Sequence, residues 1–199
     1  MVDLEGAFDS VWREAVIVKM FEMGIEGRLL AYVASFLQNR QSRSLVNTHV
    51  TDWSSTTIGV PQGSVIAPIL FIIFIKDIAS NIPKHIKFAD DLTIWVRNRD
   101  AKVASKELEK QLKKLQDWCN KWRLIINIQK TEVICFSAFN HTDIEVKLGN
   151  TTLNQVNVKP CLGVMIDENL AFNLHIKTLK NKAMAAFIGL AASCMSAEE

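Results

Sequence analysis

Two adjacent acidic residues between apolar runs constrain this chain more than any other feature. Asp90 and Asp91 follow Phe88 and Ala89 and precede residues 92–96, the run Leu-Thr-Ile-Trp-Val. This pattern predicts a β-hairpin with the acidic pair at its turn. A plain turn is one explanation, because aspartate tolerates tight turns. The other is a divalent metal site, because two neighbouring carboxylates repel each other unless a cation lies between them.

A metal site needs a further carboxylate from elsewhere in the chain, and the opening segment offers one. Asp3 lies in the sequence Asp-Leu-Glu-Gly-Ala-Phe-Asp of residues 3–9. The alternative for Asp3 is an ordinary acidic residue at the surface. The sequence therefore predicts that residues near both position 3 and position 90 contribute to one site.

Composition indicates a globular protein with a sizeable core. The chain has 199 residues, 49% of them hydrophobic and 22% charged, which is enough for one domain or a domain with a small appendage. Basic side chains number 10 against 11 acidic ones in residues 1–100, and 13 against 10 in the rest. This asymmetry is compatible with a nucleic-acid surface in the second half.

Cysteine spacing and hydropathy favour an intracellular protein, cytoplasmic or nuclear, without a membrane span. The four cysteines lack a Cys-x-x-Cys pair, so free thiols in a reducing compartment are favoured over a zinc site. The N-terminus has no signal peptide pattern. The longest apolar run, residues 65–75, is too short to cross about 30 Å of hydrocarbon as a helix. We expect it to form a buried core helix.

Hydrophobic periodicity and turn residues predict a mixed α and β chain. We expect a helix capped by Asp9 or Ser10, ending at Met23, with Gly24 as its stop. The strands of residues 44–50 and 52–58 are expected to turn at residues 51–52. The other predicted elements are helices at 26–37, 65–79, 100–122 and 169–192, and short strands at 124–126, 132–136, 146–148, 151–153 and 160–164. We expect the stripe of Leu108, Leu112, Leu115, Cys119 and Trp122 to pack in the core.

Five motifs in order give the chain a specific resemblance. They are Asp3-x-x-x-Ala7-Phe8-Asp9, Gly59-Val60-Pro61-Gln62-Gly63, Phe88-Ala89-Asp90-Asp91, Asn127-x-x-Lys130-Thr131-Glu132 and Leu162-Gly163-Val164-x-Ile166-Asp167. The set resembles the palm of reverse transcriptases, most closely those of jockey-like non-LTR retrotransposons. The resemblance implies an RNA-directed DNA polymerase whose partners are an RNA template, a DNA primer and deoxynucleoside triphosphates.

The resemblance also implies roles for the acidic residues and for one lysine. Asp3 and Asp90 match the carboxylates that hold two Mg²⁺ ions, for which Mn²⁺ can substitute, and Asp91 matches a second, supporting carboxylate at the same metal site. Such ions neutralise charge on the attacking and leaving oxygens of a phosphoryl transfer. Lys130 matches the lysine near the leaving pyrophosphate, where it could supply charge or a proton. A surface lysine in a turn is the alternative.

Substrate and primer contacts are implied for two further groups of residues. Phe8 matches the aromatic residue that excludes a 2′-hydroxyl, although simple core filling is the alternative. Pro61, Gln62 and Gly63 match a loop that contacts the incoming nucleotide, and a strand-to-helix turn is its alternative. Residues 162–164, Leu162-Gly163-Val164, match the primer grip, for which the alternative is a plain strand. The lysines of the last helix, Lys177, Lys180 and Lys182, could meet duplex phosphates.

These motifs predict an α+β fold in which a small antiparallel sheet carries Asp3, Asp90 and Asp91, with helices on one face. We expect residues 1–168 to form a palm truncated at its N-terminus, without its fingers, and residues 169–199 to begin a thumb. A catalytically inactive remnant that binds nucleic acid or protein is the first rival function. Two-metal hydrolysis of nucleic acid is the second, which Phe8 and the Pro61–Gly63 loop disfavour.

Overall fold

The computed structural model describes residues 1–137 and 142–195, and side chains as far as residue 189. These residues form five helices: α1 (Arg13–Glu22), α2 (Gly27–Leu37), α3 (Ala67–Phe74), α4 (Ala101–Trp122) and α5 (Asn173–Met195). They also form twelve short strands: β1 (Gln41–Ser42), β2 (Leu45–Val46), β3 (His49–Val50), β4 (Ser54–Ser55), β5 (His85–Phe88), β6 (Asp91–Ile94), β7 (Glu132–Val133), β8 (Lys147–Leu148), β9 (Thr151–Thr152), β10 (Asn154–Gln155), β11 (Val158–Cys161) and β12 (Val164–Asp167).

The N-terminal segment joins the acidic hairpin to the middle of the chain. β5 and β6 pair antiparallel, and Val2 forms an antiparallel bridge with Leu92 of β6. On its other side the segment bridges Leu4 to Ile126. β7 then pairs with β10 in parallel, a pairing that the sequence did not predict. The fold is mixed, with helices and small antiparallel sheets, as expected.

Alternation along the N-terminal segment decides which side chains enter the core. Val2 and Leu4 are buried, as is Leu92 opposite Val2. Successive side chains of an extended strand point to opposite faces, so Asp3 and Asp91 point away from that core. The core also contains the apolar faces of α1, α3 and α4.

An ion pair of one buried lysine with a half-exposed aspartate ties these helices together. Lys19 of α1 is 4% exposed and pairs with Asp77, which follows α3. Its ammonium also lies 4.5 Å from the ring centroid of Trp118 and 4.2 Å from that of Trp122, both on α4. Burial lowers the pKa of Lys19 although Asp77 opposes the shift. The pair therefore fixes three helices around one cation.

The first helix begins later than predicted. Asp9 and Ser10 were expected to cap it, but α1 starts at Arg13 after an N-cap at Trp12. The Ser10 amide bonds the carbonyl of Gly6 in a turn, and the Asp9 carboxylate accepts a bond from Gln62 instead of capping the helix. The predicted stop is correct, because Gly24 follows α1 with φ of +79°.

The strands of residues 41–55 turn at a different place from the one predicted. β2 and β3 pair antiparallel around Asn47 and Thr48, whereas the turn was expected at residues 51–52. Asn47 has φ of +55°, a conformation that asparagine tolerates better than most residues. β1 pairs with β4 below this hairpin, so the two pairs form one protruding ribbon.

The remaining helices differ from expectation mainly at their ends. The apolar helix α3 is shorter than predicted, and it is buried on one face only, because Ile69 and Ile72 are more than half exposed. α5 begins at Asn173 rather than residue 169. The Asp167 carboxylate accepts bonds from the amides of residues 169, 171 and 172, which holds that segment in a turn. The predicted stripe on α4 is confirmed for its four buried members, Leu112, Leu115, Cys119 and Trp122.

Within the described part of the chain, no helix is both long enough and apolar enough to cross a membrane. Cys119, Cys135 and Cys161 are free thiols. Burial raises the pKa of the Cys119 thiol to about 12, so this thiol stays protonated and packs as a small apolar group. The side chain of Cys194 and residues 196–199 of the predicted thumb lie outside the described residues.

Candidate active site

The predicted β5–β6 hairpin is present, with Asp90 at its turn and Asp91 as the first residue of β6. Phe88 pairs with Asp91 across the two strands, so Ala89 and Asp90 form the two-residue turn. Ala89 has φ of +49°, which is uncommon for a residue with a side chain. The hairpin is fixed to the end of α3 by Lys87, whose ammonium donates to the carbonyls of Ile75 (2.9 Å) and Lys76 (2.8 Å).

Both backbone polar groups of Asp3, the amide and the carbonyl, are hydrogen-bonded. Its amide donates to the Thr131 hydroxyl at 3.2 Å, and its carbonyl accepts from the Asn127 amide at 2.9 Å. Thr131 is only 1% exposed, so water does not compete for that hydroxyl. The carboxylate of Asp3 is half-buried and free of this backbone network.

A cavity of about 300 Å³ collects residues from four parts of the sequence. Its lining consists of Met1, Val2, Asp3, Asp91, Lys130, Lys159, Pro160, Leu162 and Gly163. Two acidic and two basic residues therefore line one space. Five of the residues singled out in the sequence meet here, namely Asp3, Asp91, Lys130, Leu162 and Gly163.

Lys130 lies in a turn that two other side chains support. Its amide donates to the Asn127 side chain at 3.2 Å, and its carbonyl accepts from the Lys159 ammonium at 3.1 Å. The same ammonium lies 2.5 Å from the Glu132 carboxylate. Because Lys159 belongs to β11, it connects the Lys130 turn to the hairpin that follows. Leu162 and Gly163 form the turn of this β11–β12 hairpin, so the plain-strand alternative for them is wrong.

The second group of predicted residues lies along the next part of the opening segment. The Phe8 ring stacks on Phe71 of α3, with centroids 4.3 Å apart. Gln62 donates to the Asp9 carboxylate at 2.9 Å, and the Val60 amide donates to the Phe8 carbonyl at 3.0 Å. The loop of residues 60–63 therefore lies against residues 8 and 9.

Two features fix this loop in place. Gly59 has φ of +81°, and an added Cβ would lie 2.7 Å from the Asp9 carbonyl oxygen, so only glycine fits the close approach. Arg13 is 8% exposed and donates five hydrogen bonds, to Leu37, Thr56, Ile58 and Gly59. Burial, and then the nearby Arg40, lower the pKa of Arg13.

The other predicted site residues lie outside the lining of the cavity. These are Asp90 at the hairpin turn, Phe8, Pro61, Gln62 and Gly63 beside the opening segment, and Val164 at the start of β12. Sequence reasoning also missed Arg13 and Lys159, and it gave no role to Thr131 although Thr131 belongs to the fourth motif. Arg13 begins α1, which also contains Glu14, Lys19 and Glu22, so no local signal marks it as buried. Nothing local to Lys159 distinguishes it from a surface lysine.

The donor set suits Mg²⁺ only with help from a substrate. Within the described residues, no group of three histidine, cysteine or acidic side chains is arranged to hold a metal ion. Mg²⁺ is usually bound by one or two carboxylates together with substrate phosphates. Asp3 and Asp91 in one cavity, with Asp90 next to Asp91, meet that lesser requirement.

Comparison with known proteins supports the resemblance read from the motifs. A family model described as reverse transcriptase (RNA-dependent DNA polymerase) matches residues 1–183. The chain is 27% identical over 187 residues to the probable RNA-directed DNA polymerase from transposon BS of Drosophila melanogaster. It is 26% identical over 188 residues to the RNA-directed DNA polymerase from mobile element jockey of the same organism.

These alignments cover most of this chain but little of its relatives. They include 88% and 90% of the chain, which spans about a fifth of the length of each of those two relatives. A third relative, the probable RNA-directed DNA polymerase from transposon X-element, is 25% identical over 190 residues. From the family match over residues 1–183, together with these polymerases of mobile elements, the chain belongs to the reverse transcriptase family and is akin to its non-LTR retrotransposon members.

Proposed function

We propose that this chain carries the nucleotidyl-transfer site of an RNA-directed DNA polymerase of a non-LTR retrotransposon. The observation that carries the proposal is the shared cavity of Asp3, Asp91, Lys130 and the Leu162–Gly163 turn. These residues come from four of the five motifs and have the charges that transfer to a primer 3′-hydroxyl requires. The substrates are deoxynucleoside triphosphates, a DNA primer and an RNA template.

The carboxylates of Asp3, Asp90 and Asp91 would hold two divalent cations, Mg²⁺ or Mn²⁺. Bound there, the cations would neutralise charge on the triphosphate and the attacking oxygen. Asp3 suits this task because its backbone is fixed by Thr131 and Asn127, which keeps its carboxylate in place. Positioning and electrostatics supply nearly all of the catalysis in phosphoryl transfer, so a rigid carboxylate is worth more than a mobile one.

The chain's other residues would position substrate and product groups. Lys130 would lie near the departing pyrophosphate and offset its charge. Leu162, Gly163 and Val164 would contact the primer end. Gln62, anchored by Asp9, would contact the incoming nucleotide from the loop of Pro61 and Gly63. Phe8 would exclude a 2′-hydroxyl beside the sugar.

We assign residues 1–168 to a palm and residues 169–199 to the beginning of a thumb. In support, α5 packs against β12, and its apolar side chains, such as Phe187, are largely exposed. A helix with so little core contact would be free to meet a duplex, and Lys177, Lys180 and Lys182 give it positive charge.

Primer extension tests the proposed reaction. The assay uses a DNA primer on an RNA template with deoxynucleoside triphosphates and Mg²⁺. Asp3→Asn and Asp91→Asn should each lower the extension rate by about a hundredfold or more. Each substitution removes a carboxylate charge from the site, and a misplacement of only ~1 Å already costs about a hundredfold in rate. Asp117→Asn is the matched control, because Asp117 is an exposed carboxylate of α4 that pairs with Lys113 at the surface.

A folded wild-type chain that extends no primer would favour the inactive, binding-only alternative. Release of mononucleotides in the absence of triphosphates would instead favour hydrolysis. Equal loss of extension in Asp117→Asn would show that the effect of the two site variants is not specific.

A further inference from the structure

A second, larger cavity lies at the base of the protruding β1–β4 ribbon, defined here as residues 40–56. Its volume is about 560 Å³, within the range of pockets that bind small molecules. It is lined by α1, by the end of α2 and by both edges of the ribbon. Its polar lining includes Gln38, Asn39, Arg40, Gln41, Ser55 and Thr57. None of these residues has a part in the proposed nucleotidyl-transfer site.

The face that lines this cavity continues outward along the β1–β4 ribbon. Gln41 pairs with Ser55, and both contribute to the cavity wall. Arg43 follows β1 and Trp53 precedes β4, so both lie directly beyond the pair of Ser42 and Ser54. The Arg43 guanidinium lies 4.5 Å from the Trp53 ring centroid, which agrees with this placement. Trp53 is 59% exposed, so its ring is available to a ligand.

Charged side chains of both signs lie on this surface. Arg40 lies in the cavity and Arg43 beyond it, whereas the nearby carboxylates are Glu14 in the cavity wall and Asp52 beside Trp53. Arg13 also lines the cavity, but its guanidinium is occupied by five hydrogen bonds. Among the described residues, Arg40 donates one long bond, 3.4 Å to the Phe36 carbonyl, which leaves donors for an anion.

We propose that this face binds single-stranded RNA, with a base stacked on Trp53 and phosphates bound by Arg40 and Arg43. Exposed aromatic rings beside basic side chains are the usual means of binding single strands without sequence preference. The amide and hydroxyl groups of Gln38, Asn39, Ser55 and Thr57 complete a polar wall that suits a nucleotide better than an apolar peptide.

The β1–β4 ribbon is also fixed relative to the candidate active site. Arg13 bonds Thr56 at the end of the ribbon and Gly59 just before the loop of Gln62. A strand bound along the ribbon would therefore have a defined position relative to Gln62. That this strand is the template rests on the proposed polymerase function; that the face binds RNA does not.

The test is fluorescence anisotropy of a labelled 12-nucleotide single-stranded RNA with the 199-residue chain. Trp53→Ala and Arg43→Ala should each weaken binding by about tenfold, as expected for the loss of one stacked base or one phosphate contact. Trp53→Phe should restore most of the affinity. Trp95→Ala and Arg97→Ala are the matched controls, because both residues are exposed and follow β6, outside the ribbon and the lining of its cavity. They should bind as the wild type does.

The outcomes distinguish failure of this proposal from failure of the catalytic proposal. Wild-type affinity in Trp53→Ala, or no RNA binding by the wild type, would overturn it. Self-association that Trp53→Ala abolishes, without RNA binding, would assign the face to a protein contact and would also overturn it. RNA binding that depends on Trp53 in a chain that extends no primer would support this proposal while the catalytic proposal fails.

Discussion

The amide of Val2 donates a 2.8 Å hydrogen bond to the carbonyl of Leu92, and this bond sets Asp3 opposite Asp91. Both bonded residues are buried, so the register of the two strands is set by the core. A slip of one residue would turn the apolar side chains outward and the carboxylates inward. The relative position of the two carboxylates is therefore a consequence of hydrophobic packing.

Thr131 should matter for the position of Asp3. In Thr131→Val the shape is kept but the Asp3 amide loses its acceptor, which should lower the free energy of unfolding by about 1–3 kcal/mol. Thr131→Ser keeps the hydroxyl and serves as the control. Hydrogen exchange at the Asp3 amide should be faster in the valine variant than in the serine variant. Equal exchange in the two would show that the hydroxyl does not hold Asp3.

Gly59 and Gly63 offer a matched pair for measuring the close approach of the loop. Both have positive φ, +81° and +84°, so alanine is strained at either position by about 1–2 kcal/mol. Only Gly59→Ala also places a Cβ against the Asp9 backbone. A Cβ added at Gly63 would have no atom within 4 Å. Urea denaturation should show the larger loss of stability for Gly59→Ala. Equal losses would contradict the contact with Asp9.

Phe8 should control the choice of sugar. Phe8→Val removes the ring beside the proposed sugar position and should raise incorporation of ribonucleotides relative to deoxynucleotides. Phe71→Leu is the control, because it disturbs the same stack from the fully buried side and should destabilise the fold without changing sugar choice. Competition between the two nucleotide types in primer extension measures the ratio. An unchanged ratio in Phe8→Val would leave Phe8 with a packing role only.

Asp77 should make stability depend on acid pH. Burial alone would raise its pKa, but the bond and charge of Lys19 outweigh burial and lower it below the ordinary 3.8. A carboxyl whose pKa is lower in the folded state stabilises the fold above the unfolded pKa and loses that effect as pH falls through the folded pKa. Asp77→Asn should lower the free energy of unfolding by about 1–3 kcal/mol at pH 7.

As the pH falls below about 4, the carboxyl of Asp77 loses its charge. The difference in free energy of unfolding between the variant and the wild type should then shrink. Urea denaturation at pH 7 and pH 3 measures both differences. A constant difference across this range would show that Asp77 is not charged against Lys19. Asp117→Asn should cost well under 1 kcal/mol at either pH, because exposed ion pairs contribute little.

The parts of the fold that the sequence predicts well are those with strong local patterns. The stripe on α4 and the acidic hairpin both depend on neighbours within a few residues. The predicted end of α1 was correct for the same reason, because a glycine with positive φ stops a helix locally.

The errors come from contacts between distant residues. Asp9 was expected to cap α1, but a bond from Gln62, 53 residues later, takes its carboxylate. Lys159 bonds Lys130, 29 positions earlier in the chain, and Thr131 bonds Asp3, 128 positions earlier. No local sequence pattern indicates contacts over such separations. The turn of the β1–β4 ribbon was misplaced because its exposed strands have no buried face to set the register.

The hydrogen bonds of Arg13 have a consequence for insertions and deletions. The guanidinium holds the carbonyl of Leu37, before the β1–β4 ribbon, and those of Thr56 and Ile58, at its end. The ribbon therefore leaves and returns at one fixed point, and its tip carries no buried side chain. Because closing a longer loop costs only about 0.6 kcal/mol for each doubling of length, residues added at Asn47 and Thr48 should leave the loop of Gln62 where it is. Length variation among related chains should therefore be greatest at this tip, and a peptide tag or fluorophore is best inserted there.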